Sequence, residues 1–219
     1  MNVSKQTLGK LALLGTALIW GTSYVVLKTP LDSVTTLWVL AIRFAVSAVL
    51  LIAIAGRRLK GISPRCIKGG VILGLSLAVA YVFQTYGLLY TTPGKNAFLT
   101  ATYCVLTPFL AWLVYKRRPG LSNLIAAFLC ISGIGFVSLS SGFTEVNKGD
   151  MLTLVCGIFY SVQIIVMEQY RDSGEALCLS AVEFAAAAVF FIAGALIFEA
   201  PPRDVPVSAW LGIAYLSVM

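Results

Sequence analysis

Apolar residues run along the chain in long blocks, each close to the roughly 20 residues that a helix needs to cross about 30 Å of hydrocarbon. The blocks fall at 10–28, 37–55, 69–90, 97–115, 122–140, 150–168 and 178–198, and another begins near Trp210. Short connections such as "GRRLKGISPRCIK" and "EAPPRDVPV" separate them and hold most of the Gly, Pro and charge. The pattern predicts an all-α integral membrane protein with seven complete spans and the start of an eighth, and no separate soluble domain.

Composition agrees, with 59% hydrophobic and 11% charged residues against about 25% charged in soluble domains. The net charge of +7 could suggest nucleic acid, but its placement points to the lipid bilayer as partner instead. Counting loops alternately from the N-terminus, one side carries Lys5, Lys10, Arg57, Arg58, Lys60, Arg65, Lys68, Lys116, Arg117, Arg118 and Arg171; the other has Lys28, Lys95, Lys148 and Arg203. This positive-inside bias predicts a multi-pass protein of the inner (plasma) membrane with a cytoplasmic N-terminus. The lysines ahead of the first block imitate a signal peptide. The length of that block, its Trp20 and Tyr24 and the spans that follow favour a first membrane span. Five cysteines share no metal-type spacing and histidine is absent, so neither a metal nor a cofactor is expected.

A repeat runs through the chain at an offset of 140 residues. "LWVLAIRFAVSAVLLIAIA" (37–55) laid over "LCLSAVEFAAAAVFFIAGA" (177–195) gives nine identities in nineteen positions, Phe44/Phe184 and Ala48/Ala188 among them. The same offset pairs Thr16 with Cys156, Trp20 with Tyr160 and Ser23 with Gln163, residues that form one helical face in each copy. Each copy holds five spans, an odd number, so the second must enter the membrane upside down. That predicts an inverted repeat, 1–142 followed by 143–219, with substrate near the midplane where the copies meet. It also predicts that 143–219 is an incomplete second copy. The rest of span 8 and spans 9 and 10 would belong to a longer parent of 5+5 spans, and the chain would not transport alone.

With "ALIWGTSYV" in span 1, "LAIRFAVSAVLL" in span 2, "YGLLYTTPGKNAFLTATYCVLTPFLAWLV" across spans 3 and 4 and "GIGFVSL" in span 5, the sequence resembles the drug/metabolite transporter superfamily, and within it the EamA-like permeases of ten spans. The resemblance implies export or import of small metabolites by alternating access, through a cavity lined by spans 1, 3, 4, 6, 8 and 9. One departure stands out. Family members often carry a Gly-Glu pair where span 4 meets the cytoplasm, and here the chain reads "VYKRRPG".

Polar side chains at helical spacing mark the expected substrate-binding set. Span 1 offers Trp20 and Ser23, with Thr16 on the same face; span 6 offers Tyr160 and Gln163, with Thr153 and Cys156. Span 3 has Tyr81 and Gln84, and span 4 carries a stripe of Asn96, Thr100, Tyr103 and Thr107. Aromatic faces suit the apolar parts of a solute, and hydroxyl and amide groups its polar ends. The competing reading is helix packing, in which Ser and Thr bond to neighbouring helices. Pro108, inside span 4, reads either as a gating hinge or as fixed curvature.

Two charges stand inside spans, Arg43 and Glu183, paired by the 140-residue offset. Depth counting in an inverted arrangement puts them about 12 Å apart across the membrane. A salt bridge is therefore not expected, and outward anchoring by snorkelling is, with a coupling role as the alternative. A lone carboxylate without histidine gives no acid–base pair, so an enzyme is not expected. The resulting expectation is a secondary transporter of small organic metabolites, neutral, zwitterionic or amphipathic. A non-transporting assembly subunit or truncated paralogue and a seven-span receptor are the other classes, and a homodimer is left open.

Overall fold

A computed structural model describes residues 5–116, 118–140 and 147–219. Nine α-helices make up the described fold: α1 (Lys5–Leu31), α2 (Thr36–Ala55), α3 (Pro64–Tyr90), α4 (Pro93–Thr100), α5 (Tyr103–Tyr115), α6 (Leu121–Ser140), α7 (Lys148–Tyr170), α8 (Ala176–Phe198) and α9 (Val207–Val218). Among the described residues six candidate spans are long and apolar enough to cross a membrane, one of them formed by α4 and α5 together. The fifth predicted span is α6, whose described apolar stretch is Leu121–Gly133. The expected repeat boundary at 142 and Arg117 of the charge tally lie outside the described residues.

The core is made where α2, α3 and α8 meet. Leu40, Phe44 and Ala48 of α2 pack with Leu77 and Ala78 of α3 and with Ala187, Phe191 and Ala195 of α8. Direction follows from which residues touch. Phe44 meets both Phe184 and Phe191, and Leu37 is the nearest neighbour of Gly194, so α2 and α8 are antiparallel. α3 runs antiparallel to α7, with Gly69 under Tyr170 at one end and Gly87 against Gly149 at the other. These glycines let the backbones approach closely, which is how helices gain contact where lipid gives no hydrophobic drive for association. Outside this core, side chains such as Ile54, Leu196 and Phe198 are exposed, as lipid contact requires.

Span 4 differs from the continuous helix that its composition predicts. It is broken at Ala101 and Thr102, where amides bond three rather than four residues back: Thr102 N to Leu99 O, Cys104 N to Ala101 O and Val105 N to Thr102 O. The cause is local. The Thr102 hydroxyl donates to Leu99 O at 2.7 Å and so competes with the helical ladder. Gly157 of α7 leaves room for that hydroxyl. Pro108 lies in the interior of α5, which continues past it. The irregularity of span 4 is therefore a turn upstream of the proline.

Candidate functional site

Gln84 of α3 is the centre of a buried polar network that joins four helices. Its amide nitrogen donates to the Tyr24 hydroxyl of α1 at 2.8 Å and to Thr100 Oγ1 of α4 at 3.3 Å. Its amide oxygen accepts from the Tyr160 hydroxyl of α7 at 2.8 Å. An amide in hydrocarbon needs such partners on both its atoms. Thr100 in turn lies 3.6 Å from Cys156 Sγ. One turn earlier on α4, Asn96 Nδ2 donates to the backbone carbonyl of Gln84 at 3.1 Å and to Thr153 Oγ1 at 2.8 Å. Asn96 is fully buried, and its Oδ1 has no partner among the described residues.

An aromatic group extends the network sideways. The Tyr160 ring lies 5.9 Å from Tyr81 and 6.0 Å from Tyr103, and Tyr81 meets Phe44 edge-on at 5.0 Å. Arg43 reaches into this group. Its guanidinium carbon stands 5.0 Å from the Tyr81 ring centre, NH2 donates to the Tyr81 hydroxyl at 3.4 Å, and Nε donates to Leu216 O of α9 at 3.1 Å. Cation–π contact and a carbonyl acceptor are what make a buried guanidinium tolerable without a carboxylate.

The structure thus brings Tyr81, Gln84, Asn96, Thr100, Tyr103 and Tyr160 together. It leaves Trp20 more than half exposed, and Ser23 turns its hydroxyl back to Trp20 O. Gln163 is buried one turn from Tyr160 but faces α8, where Nε2 donates to Glu183 Oε1 at 2.8 Å. Thr107 back-bonds to Tyr103 O.

Arg43 needs a correction. It does not snorkel outward: it is buried and turned into the bundle. Depth is also not what separates it from Glu183, since Phe44 and Phe184, the residues that follow the two charges, are in ring contact at 5.3 Å. Direction separates them, because Arg43 turns to α3 and α9 and Glu183 to α7.

Several residues of the arrangement escaped the sequence. Tyr24, one position past Ser23, is the α1 side chain that enters the network. Asp150 and Lys95 form a partly buried ion pair at 2.6 Å at the end of the bundle opposite the start of α1. Asp150 also accepts from Thr91 and closes a capping box with Asn147. At the same end, Glu199 accepts from the Leu37 and Trp38 amides and from the Tyr86 hydroxyl, capping α2 from α8. The Asn-x-x-Asp spacing of "NKGD" was a legible signal for the cap, though not for its ion partner.

The sequence matches the profile of the EamA-like transporter family over residues 7–139. It is 35% identical over 166 residues to an uncharacterized transporter of Archaeoglobus fulgidus, an alignment that covers 76% of this chain and 51% of that protein. An uncharacterized transporter of Bacillus subtilis, YoaV, is 20% identical over 199 residues, covering 88% of this chain and 68% of its own length. The chain spans about half the length of the Archaeoglobus relative. A solved crystal structure shares the fold at a TM-score of 0.67 and 17% identity, over 92% of this chain and 70% of that one.

Proposed function

The chain belongs to the EamA-like transporter family, and from that premise we propose that it serves alternating-access transport of a small organic metabolite. Gln84, Tyr81, Tyr160, Tyr103, Thr100 and Asn96 would form the substrate site. One observation carries the assignment: Gln84 ties α1, α3, α4 and α7 together through neutral side chains in the interior of the bundle. Such bonds hold the site closed when empty, and a solute with hydroxyl, amide or zwitterionic ends can replace them one for one. The rings of Tyr81, Tyr103 and Tyr160 supply surface for its apolar part.

The inverted repeat belongs to the same proposal. An offset of 140 turns α1, α2 and α3 into α7, α8 and α9. Under that exchange the α3–α7 contact becomes α9–α1, α3–α8 becomes α9–α2, and α2–α8 maps onto itself; all five contacts occur. Phe44 against its own counterpart Phe184 supports a pseudo-twofold axis there. A cytoplasmic N-terminus in the plasma membrane follows from the charge bias. It would place the Lys95–Asp150 end outside.

The test is untargeted metabolite profiling of cells and medium for the protein in the 5+5-span form that the repeat predicts, and for its Gln84→Ala variant, at matched expression. The expected result is a solute whose distribution shifts about tenfold with the protein and returns to the vector control in the variant. Identical profiles for protein, variant and vector would sink the assignment.

A further inference from the structure

The break in span 4 and the ion pair above it belong to one device. α4 is an eight-residue half-helix, joined to α3 through Thr91 and Thr92 and to α5 through the three-residue-spaced turn at Ala101 and Thr102. Inside, it carries Asn96 and Thr100 onto Gln84, Thr153 and Cys156. At its rim, Lys95 Nζ meets Asp150 Oδ2 of α7 at 2.6 Å, the lysine side chain 16% and the aspartate 5% exposed. Asp150 is fixed before Lys95 arrives, because its carboxylate accepts from the Asn147 amide and from Thr91 and its own amide is held by Asn147. α7 is the anchored partner, packed along α3 from Gly149 to Tyr170.

We propose that α4 is a swinging gate, hinged at Ala101–Thr102 and latched to α7 by Lys95–Asp150, so that releasing the latch withdraws Asn96 and Thr100 from the substrate site in one movement. The idea rests on the transport reading, yet its mechanics can be measured without a substrate. The hinge has a structural reason to bend, since the Thr102 hydroxyl occupies Leu99 O and the Ala101 carbonyl, instead of a four-residue helical bond, accepts the Cys104 amide three residues on and the thiol of Cys130 at 3.6 Å. The latch has a reason to be decisive, since a charge-assisted bond in a partly dry setting outweighs the neutral bonds beside it.

Hydrogen–deuterium exchange of the whole chain in lipid nanodiscs, read by mass spectrometry, tests this. Lys95→Gln and Asp150→Asn each remove the ion pair, and Asp150→Asn retains a side-chain oxygen for the cap. Both are expected to speed exchange across residues 93–100 by about tenfold, with α3 and the rest of α7 within about twofold of wild type. Lys95→Arg is expected to keep the wild-type rate. Unchanged exchange in α4 for both neutral variants overturns the gate and leaves the transport reading standing. A rise spread evenly over the bundle also overturns it, because the pair would then hold the fold rather than α4. A local rise in α4 with no solute found in the profiling supports the gate and counts against the transport reading alone.

Discussion

α7 is packed along α3 and against α4 and α5, whereas α1 rests mainly on α9 and touches α4. On α7, Cys156 and Gln163 are buried, and Ser161 bonds to Tyr103 O of α5. On α1, Trp20 and Leu18 are exposed, and among the described residues nothing beyond the helix's own backbone and chain neighbours lies within 4 Å of the place a side chain would occupy at Gly9, Gly15 and Gly21. The two helices carry matching polar faces at the 140-residue offset. What differs is the neighbours: α3 carries an amide at Gln84 and a glycine at Gly87 where α7 passes, and α1 meets the network through Tyr24. A polar face becomes a site when a second helix brings complementary groups to the same depth.

The largest expected effect comes from the buried acid that α7 serves. Gln163→Leu keeps the volume and removes the amide that Glu183, 3% exposed, uses as a donor. The loss should be about 2.5 kcal/mol, because a buried carboxyl oxygen is left without that donor. Adding Glu183→Leu, which removes the second partner as well, should recover most of it. Equilibrium unfolding in mixed micelles, followed by tryptophan fluorescence, checks both values. Equal stability of Gln163→Leu and wild type would mean that α7 and α8 do not need this bond, and the contrast with α1 would weaken.

Periodicity and composition disclosed the helices, because a span must be apolar over a fixed length and its polar residues must share a face. Six of the nine residues singled out as substrate-binding meet in one network for that reason. Trp20 and Ser23 show the limit. Their spacing is as good as that of Tyr160 and Gln163, but spacing along one helix says nothing of what stands opposite. Arg43 shows another. Snorkelling was the cheaper outcome for an isolated helix, and it lost to Tyr81 and the Leu216 carbonyl, two partners on other helices. The break in span 4 was written in "TAT" (100–102), whose second threonine competes for a backbone carbonyl, while Pro108 drew attention away from it.

Glycine substitutions sharpen the same contrast at a smaller scale. A side-chain carbon added at Gly149 of α7 would stand 2.5 Å from the Gly87 carbonyl and 2.9 Å from Tyr90 Cβ. Backbone cannot rotate away as a side chain can, so α3 and α7 must separate. Gly149→Ala should cost about 2 kcal/mol. Gly21→Ala in α1 meets nothing, and should gain about 0.5 kcal/mol from the reduced freedom of the unfolded chain. The same unfolding measurement ranks the pair. If both variants destabilise alike, α1 is packed in the membrane on the face that contains Gly21, and the difference between the two helices is lost.

The finest distinction lies between two hydroxyls. Tyr160→Phe keeps the ring contacts with Tyr81 and Tyr103 and deletes only the donor to Gln84 Oε1. About 1 kcal/mol should be lost, the usual net value of one hydrogen bond, together with a several-fold weaker solute shift in the profiling experiment. Ser23→Ala deletes a hydroxyl that, among the described residues, bonds to the carbonyl three residues back, Trp20 O. Its stability should stay within about 0.5 kcal/mol of wild type, and its solute profile should not move. A Ser23→Ala variant that altered the profile as strongly as Tyr160→Phe would put the α1 face back into the proposed substrate path, and would mean that the two helices contribute alike.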